Sequence, residues 1–133
     1  MPHEIHFNHL AVITAAISSF VLGGIWYGPL FGKLWMEAAG VTAEQTKNSN
    51  KGKIFGVAFL LSLIQAYNLA AFIGPAELQF AVFAAVATGA GWVATSIGIL
   101  YLFEMRSLKH FLINAGYMIV AFTLMGIISG AWK

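Results

Sequence analysis

The chain has 133 residues, of which 9% are charged and 59% hydrophobic, with a formal net charge of +2 and no cysteine. In a soluble domain about a quarter of the residues are charged, so this composition, with a mean hydropathy of +0.80, excludes an ordinary water-soluble globule. The small net charge argues against a nucleic-acid-binding surface, and the lack of cysteine excludes disulfides, thiolate metal sites and cysteine nucleophiles.

Four long stretches without a charged side chain predict four transmembrane helices. A helix of about 20 apolar residues crosses roughly 30 Å of hydrocarbon, and a helix is required because lipid offers no partner to unpaired backbone groups. We expect an all-α, four-helix membrane bundle in a single domain, with spans near 9–30, 54–73, 79–103 and 110–131.

The segment before the first span lacks the basic start and small-residue cleavage site of a signal peptide, so we expect the first span to stay in the mature protein. His3, His6 and His9 recur there at every third residue. On one continuous helix they would lie close enough to share a metal ion. The alternative is a solvated tail that fixes no ligand geometry.

Pro29 lies near the end of the first span. Because proline lacks an N–H and has a fixed φ, it either ends the helix at the membrane surface or breaks it beside a ligand cavity. Trp26, Tyr27, Trp35 and Tyr101 suit an aromatic belt at the same membrane surface. A ligand site is the alternative for these aromatic residues.

The longest connection, over 33–53, is basic. Thr42 and Gln45 have the spacing of a capping box, which predicts a short surface helix over 43–47 followed by a flexible linker.

The basic residues are distributed unequally between the two ends of the predicted spans. One end carries Lys33, Lys47, Lys51, Lys53, Arg106 and Lys109, and the other carries only Lys133. By the positive-inside rule, the basic end is cytoplasmic, and both termini lie outside the cytoplasm.

Small residues at helical spacing predict close helix contacts in three spans. They are Gly24, Gly28 and Gly32 in the first span, Ala84, Thr88, Gly91, Thr95 and Gly98 in the third, and Gly126 and Gly130 in the fourth. Three such faces are more than the helix contacts within one four-helix bundle require. We therefore expect a homo-oligomer, most simply a dimer, with membrane lipid as the other partner.

The centres of the predicted spans contain no Asp, Glu, Lys, Arg or His, which argues against a proton-driven pump. The neutral polar residues that remain include Gln65, Asn68, Thr88, Thr95 and Asn114. They either fix helix register by hydrogen bonds or line a cavity for a lipid or small neutral solute. No phosphate loop, Ser-His-Asp arrangement or HExxH motif is present, so we expect neither an enzyme nor a cofactor.

Four segments resemble the bacterial family known as domain of unknown function 1761. They are 8–12 (NHLAV), 26–35 (WYGPLFGKLW), 101–104 (YLFE) and 111–117 (FLINAGY). The resemblance covers essentially the whole chain and implies a small bacterial inner-membrane protein, but it does not imply any particular activity. If these segments mark a functional surface, its cytoplasmic part would contain Trp26, Tyr27, Pro29, Lys33 and Trp35, and its intramembrane part Asn114 and Tyr117.

The sequence favours a non-enzymatic, oligomeric membrane protein that acts as a scaffold or lipid-associated module. The rival hypothesis is a channel or facilitator for a small solute, lined by Gln65, Asn68, Thr95 and Asn114. A histidine metal site at the extracytoplasmic surface is the third possibility.

Overall fold

In the computed structural model, which describes residues 7–133, the chain is all-helical over that range. The helices are α1 (His9–Ile25), α2 (Gly32–Ala39), α3 (Ala43–Lys47), α4 (Lys51–Ile73), α5 (Leu78–Thr88), α6 (Thr95–Phe103) and α7 (Leu108–Ala131). Two π-helical turns complete the architecture: Trp26–Leu30 extends α1, and Gly89–Ala94 joins α5 to α6.

Four continuous helical rods result from these elements: His9–Leu30, Lys51–Ile73, Leu78–Phe103 and Leu108–Ala131. Each is long and apolar enough to cross a membrane, so the predicted four-span bundle is confirmed and the chain is a multi-pass membrane protein. The second and fourth rods begin slightly earlier than predicted because Asn50 and Ser107 cap them with side-chain oxygens.

The distribution of side-chain sizes is that of a protein in lipid. Large apolar side chains face outward, as with Phe83 and Leu102, which are 68% and 79% exposed. The centre instead contains many alanines, together with Val12, Phe122 and Met125. In lipid there is no hydrophobic drive to bury large side chains, and small residues let helix backbones approach each other.

The last helix, α7, lies at the centre of the bundle and packs against α1, α5 and the second π-turn. Against α5 the two backbones come very close. A Cβ atom added at Gly130 would lie 2.5 Å from Ala81 Cβ, and one added at Gly126 would overlap Ala85 Cβ. Gly126 and Gly130 are therefore used within one chain.

The small-residue stripe predicted for the third span does not stay on one face. Ala84 is buried, and a Cβ atom at Gly98 would lie 3.1 Å from Phe111, yet Gly91 and Thr95 are exposed. A π-turn places one extra residue in the helix, so the inward face continues from Gly89 to Ala94 instead.

Pro29 lies inside the first π-turn, where the wider hydrogen bond from Phe31 N to Trp26 O measures 2.8 Å. The helix therefore continues past the proline and ends at Leu30, close to the boundary expected for a helix that stops at the membrane surface. Gly32 follows this turn and is buried against the backbone carbonyl of Tyr27.

The connection predicted over 33–53 contains more structure than its capping box indicates. The helix over Ala43–Lys47 is present with both capping-box hydrogen bonds of Thr42 and Gln45. A second helix, α2, precedes it and ends where Gly40 adopts a left-handed φ of 71°, the usual way in which glycine ends a helix.

Candidate functional site

A cluster of aromatic rings surrounds one amide where α6, α7 and the first π-turn meet. We call it the aromatic–amide cluster, and it consists of Trp26, Tyr27, Tyr101, Asn114 and Tyr117. Tyr27 Oη donates to Asn114 Oδ1 at 2.6 Å, and Asn114 Nδ2 donates to Tyr101 Oη at 2.6 Å. One amide therefore links three helical segments through both of its polar atoms.

The other two members bond to backbone carbonyls of neighbouring helices. Trp26 Nε1 donates to Ile113 O at 2.9 Å, and Tyr117 Oη donates to Ser19 O at 2.8 Å. The Tyr27 and Tyr117 rings meet edge to face with centroids 5.3 Å apart, a favourable aromatic geometry.

These contacts direct the polar groups of Trp26, Tyr27 and Tyr101 into the bundle. An aromatic belt is formed by rings that face the headgroup region of the surrounding lipid. These hydrogen bonds are made inside the bundle, and the position of the three rings at a membrane surface stays a prediction. All of the partners belong to α7: Ile113 O and Asn114 Oδ1 accept from Trp26 and Tyr27, and Asn114 Nδ2 donates to Tyr101 Oη.

Two glycines that sequence reasoning did not single out make room for the cluster. A Cβ atom at Gly116 would lie 3.2 Å from Trp26 Cζ2, and one at Gly23 would lie 3.3 Å from Tyr117 Oη. Both distances are tighter than ordinary van der Waals contact. Gly116 precedes Tyr117 in the sequence and Gly23 precedes Gly24, but neither neighbour reveals which helix the glycine faces.

The cluster continues outward to α2. Trp35 meets Tyr27 edge to face with centroids 5.7 Å apart, and Lys109 Nζ of α7 lies 3.5 Å from Glu37 Oε1 of α2. Pro29 and Lys33, which the family resemblance associates with the same surface, are exposed. The structure thus joins Trp26, Tyr27, Trp35, Asn114 and Tyr117 and leaves Pro29 and Lys33 at the edge.

His110 is a buried polar residue that the sequence did not indicate. Its side chain is 5% exposed, its ring centroid lies 4.8 Å from that of Tyr101, and its Nδ1 atom has no hydrogen-bond partner among the described residues. On the surface nearby, Arg106 pairs with Glu104 at 2.7 Å. His110 therefore adds one unsatisfied nitrogen beside an otherwise bonded cluster.

The remaining polar candidates are not brought together with Asn114. Asn68, Thr88 and Thr95 donate to carbonyls of their own helices, at Ile64, Ala84 and Gly91. Gln65 is half-buried in α4. These residues do not form one polar path with the aromatic–amide cluster.

At the opposite end of the bundle, polar contacts join the chain termini to the helix ends. His9 Nδ1 and Tyr67 Oη are 2.8 Å apart, Asn8 Nδ2 donates to Trp132 O at 3.5 Å, and Lys133 Nζ donates to Gly74 O at 2.8 Å.

The predicted histidine metal site falls at this end of the bundle. Within residues 7–133 no group of three His, Asp or Glu side chains is placed to hold a metal ion. His3 and His6 lie outside the described residues, so the metal site stays a prediction.

Comparison with known proteins identifies a family for this architecture. A family model described as a protein of unknown function, DUF1761, matches residues 10–130. No curated protein and no solved structure matches the chain. The match covers nearly the whole chain, so the chain belongs to the DUF1761 family.

Proposed function

We propose that this DUF1761 protein is a non-enzymatic membrane scaffold that self-associates through α1, in the bacterial inner membrane with both termini outside the cytoplasm. The observation that carries the proposal is an uninterrupted exposed face of α1 and its π-turn. It contains Leu10, Thr14, Ile17, Val21, Gly24 and Gly28, all exposed.

These positions follow one another at intervals of four and three residues. Such a period of 3.5 residues keeps one face of a helix in contact with a like helix over its whole length. Thr14, the polar member, donates to Leu10 O of its own helix and so costs little against lipid or another helix.

The two glycines supply room for a close approach. A Cβ atom added at Gly24 or Gly28 would meet nothing within 4 Å. By contrast, residues of α5 in the same chain occupy the space beside Gly126 and Gly130 of α7. Small residues that remain open on a transmembrane helix are a usual surface for association. A second copy of the chain, meeting α1 with α1, fits this face.

Cysteine crosslinking tests the interface directly, because the chain has no cysteine of its own. Single variants Val21→Cys and Gly24→Cys, oxidised in the membrane, are expected to give a disulfide-linked dimer. Ile64→Cys on the exposed side of α4 is the matched control and should stay monomeric. Equal crosslinking at all three positions, or none on α1, would contradict the proposal.

Native mass spectrometry in detergent supplies an independent measurement. Gly24→Leu is expected to shift the population from dimer to monomer, because the side chain blocks the close approach. Gly56→Leu adds the same side chain at an exposed glycine with open space on α4 and should leave the dimer intact. Wild type that is monomeric throughout would rule out this use of α1.

The proposed orientation rests on the six basic residues at one end of the bundle. An impermeant thiol reagent applied to the outside of intact cells should label Gln79→Cys and leave Ser49→Cys unlabelled. The reverse pattern would place both termini in the cytoplasm.

The alternative function is a channel or facilitator for a small solute. The contacts favour the scaffold, because both polar atoms of Asn114 bond to tyrosines while Asn68 and Thr95 bond to their own helices. Solute flux into liposomes with wild-type protein that vanishes with Asn114→Leu would establish the channel and overturn the scaffold.

A further inference from the structure

The helix α4 is the least buried of the four spans, and its first half is open. Every residue over 51–57 is exposed, although the other face of the helix meets α1 through ring contacts of Phe55 and Phe59 with Phe20. Along this half runs an open groove of about 500 Å³. Its lining residues are Asn50, Lys53, Ile54, Val57, Ala58 and Leu61.

The groove is charged at one end and apolar along the rest of its length. Lys53 and Asn50 lie at the end nearest the start of α4, which we call the head of the groove, and apolar side chains line it from there to Leu61. From Lys53 to Leu61 the helix rises by about 12 Å at 1.5 Å per residue. The apolar part is therefore long enough to contact the upper portion of a lipid acyl chain.

Lys53 at the head of the groove, with Lys47 and Lys51 close to it in the sequence, has no carboxylate partner among the described residues. Lys47, Lys51 and Lys53 are exposed, and none of them forms an ion pair with another residue in the described range. By contrast, Lys109 pairs with Glu37 and Arg106 with Glu104. Within residues 7–133, the head of the groove is thus a positive patch that no carboxylate neutralises, next to an apolar surface.

We propose that this groove binds one anionic phospholipid, with its phosphate at Lys53, close to the additional positive charge of Lys51, and an acyl chain along Ile54, Val57 and Leu61. Charge complementarity selects the lipid: basic residues next to a transmembrane helix attract anionic headgroups, whereas a zwitterionic lipid brings no net charge to balance two lysines. The site lies on α4, apart from the α1 face proposed for self-association.

Native mass spectrometry of the full-length protein, with phosphatidylglycerol and phosphatidylcholine added at equal concentration, tests the site. Wild type should retain phosphatidylglycerol in preference to phosphatidylcholine. The double variant Lys51→Gln/Lys53→Gln should reduce phosphatidylglycerol binding about tenfold or more, given the contribution of each lysine near a membrane surface.

A matched double variant separates a site from a general charge effect. Lys33→Gln/Lys133→Gln removes the same charge away from the groove and should leave phosphatidylglycerol binding within about twofold of wild type. A third variant, Val57→Trp, fills the groove without changing charge and should weaken binding of phosphatidylglycerol.

Three results would overturn the proposal: equal retention of the two lipids by wild type, equal losses in the two lysine double variants, or a second protein chain crosslinked at Val57→Cys. The dimer fraction, measured in the same spectra, distinguishes a loss of lipid binding from a loss of self-association. The α4 variants should leave that fraction unchanged, and Gly24→Leu should leave lipid retention unchanged.

Discussion

The central helix α7 presents two faces that hold their neighbours by different means. Toward α5, Gly126 and Gly130 bring backbones together with almost no side-chain volume between them. Toward α1 and α6, Asn114 bonds to the side chains of Tyr27 and Tyr101, and Tyr117 donates to the backbone carbonyl of Ser19. The contact with α5 depends on the absence of side-chain volume, and the contacts with α1 and α6 depend on the pairing of polar groups.

A helix without a clear amphipathic pattern can therefore still specify its partners. Packing of small residues fixes the distance between helices, and it should be most sensitive to added atoms. A buried polar network fixes register, and it should be most sensitive to the removal of one partner. Substitutions on the two faces should therefore fail in different ways.

The largest effect is expected on the glycine face. Gly126→Leu places a side chain where Ala85 already stands, and we expect a loss of about 3 kcal/mol or more, at the upper end of overpacking costs. Thermal unfolding in detergent, with the yield of monodisperse protein, measures it. Gly56→Leu, in open space on α4, should change stability by less than about 0.5 kcal/mol. Similar melting of the two variants would show that α5 and α7 do not meet at Gly126.

An intermediate effect is expected in the aromatic–amide cluster. Asn114→Leu removes the partner of both Tyr27 and Tyr101 and should cost about 1–3 kcal/mol, the penalty for leaving polar groups unsatisfied. Unfolding by heat or denaturant provides the measurement. In this background Tyr27→Phe should cost little more, because the bond it would break is already absent.

Asn68→Leu is the matched control for the cluster. Asn68 is exposed and donates to Ile64 O of its own helix, so the substitution should leave stability within about 0.5 kcal/mol of wild type. If Asn68→Leu and Asn114→Leu cost the same, the cluster contributes no specific pairing.

The smallest effect is expected at His110. Its Nδ1 atom is buried without a partner among the described residues, so His110→Leu should be neutral or stabilise the protein by up to about 1 kcal/mol. The melting temperature of the variant decides the sign. A clear destabilisation would mean that this nitrogen has a partner in the membrane, such as a bound water molecule.

Much of the fold could be predicted because charged residues mark the limits of the spans. Lys53, Glu77 and Glu104 mark the ends of apolar stretches, and such long stretches have a low free energy only in lipid. The capping box of Thr42 and Gln45 was also readable, since it depends on local spacing alone. By contrast, α2 was missed because so short a helix has no long apolar run and because no side chain caps its start.

The candidate site could be predicted only in part. The family resemblance drew attention to Trp26, Tyr27, Asn114 and Tyr117, and the structure joins these residues. The neutral polarity of the spans grouped Asn68 and Thr95 with Asn114, although their side chains bond to their own helices. Spacing along one helix does not report which way a polar side chain turns when its own backbone offers an acceptor.

The number, length and apolar character of the four spans follow from the amino-acid sequence alone, because the free-energy cost of charge in a bilayer acts on each segment separately. Which face of each span turns inward depends on contacts between the helices. These helices have apolar residues on all of their sides, so a hydrophobic pattern cannot show which side faces the bundle. The π-turn at Gly89–Ala94 also shifts the inward face of the third span by one residue. The contacts around Gly126 and Asn114, made between distant segments of the chain, fix the final arrangement.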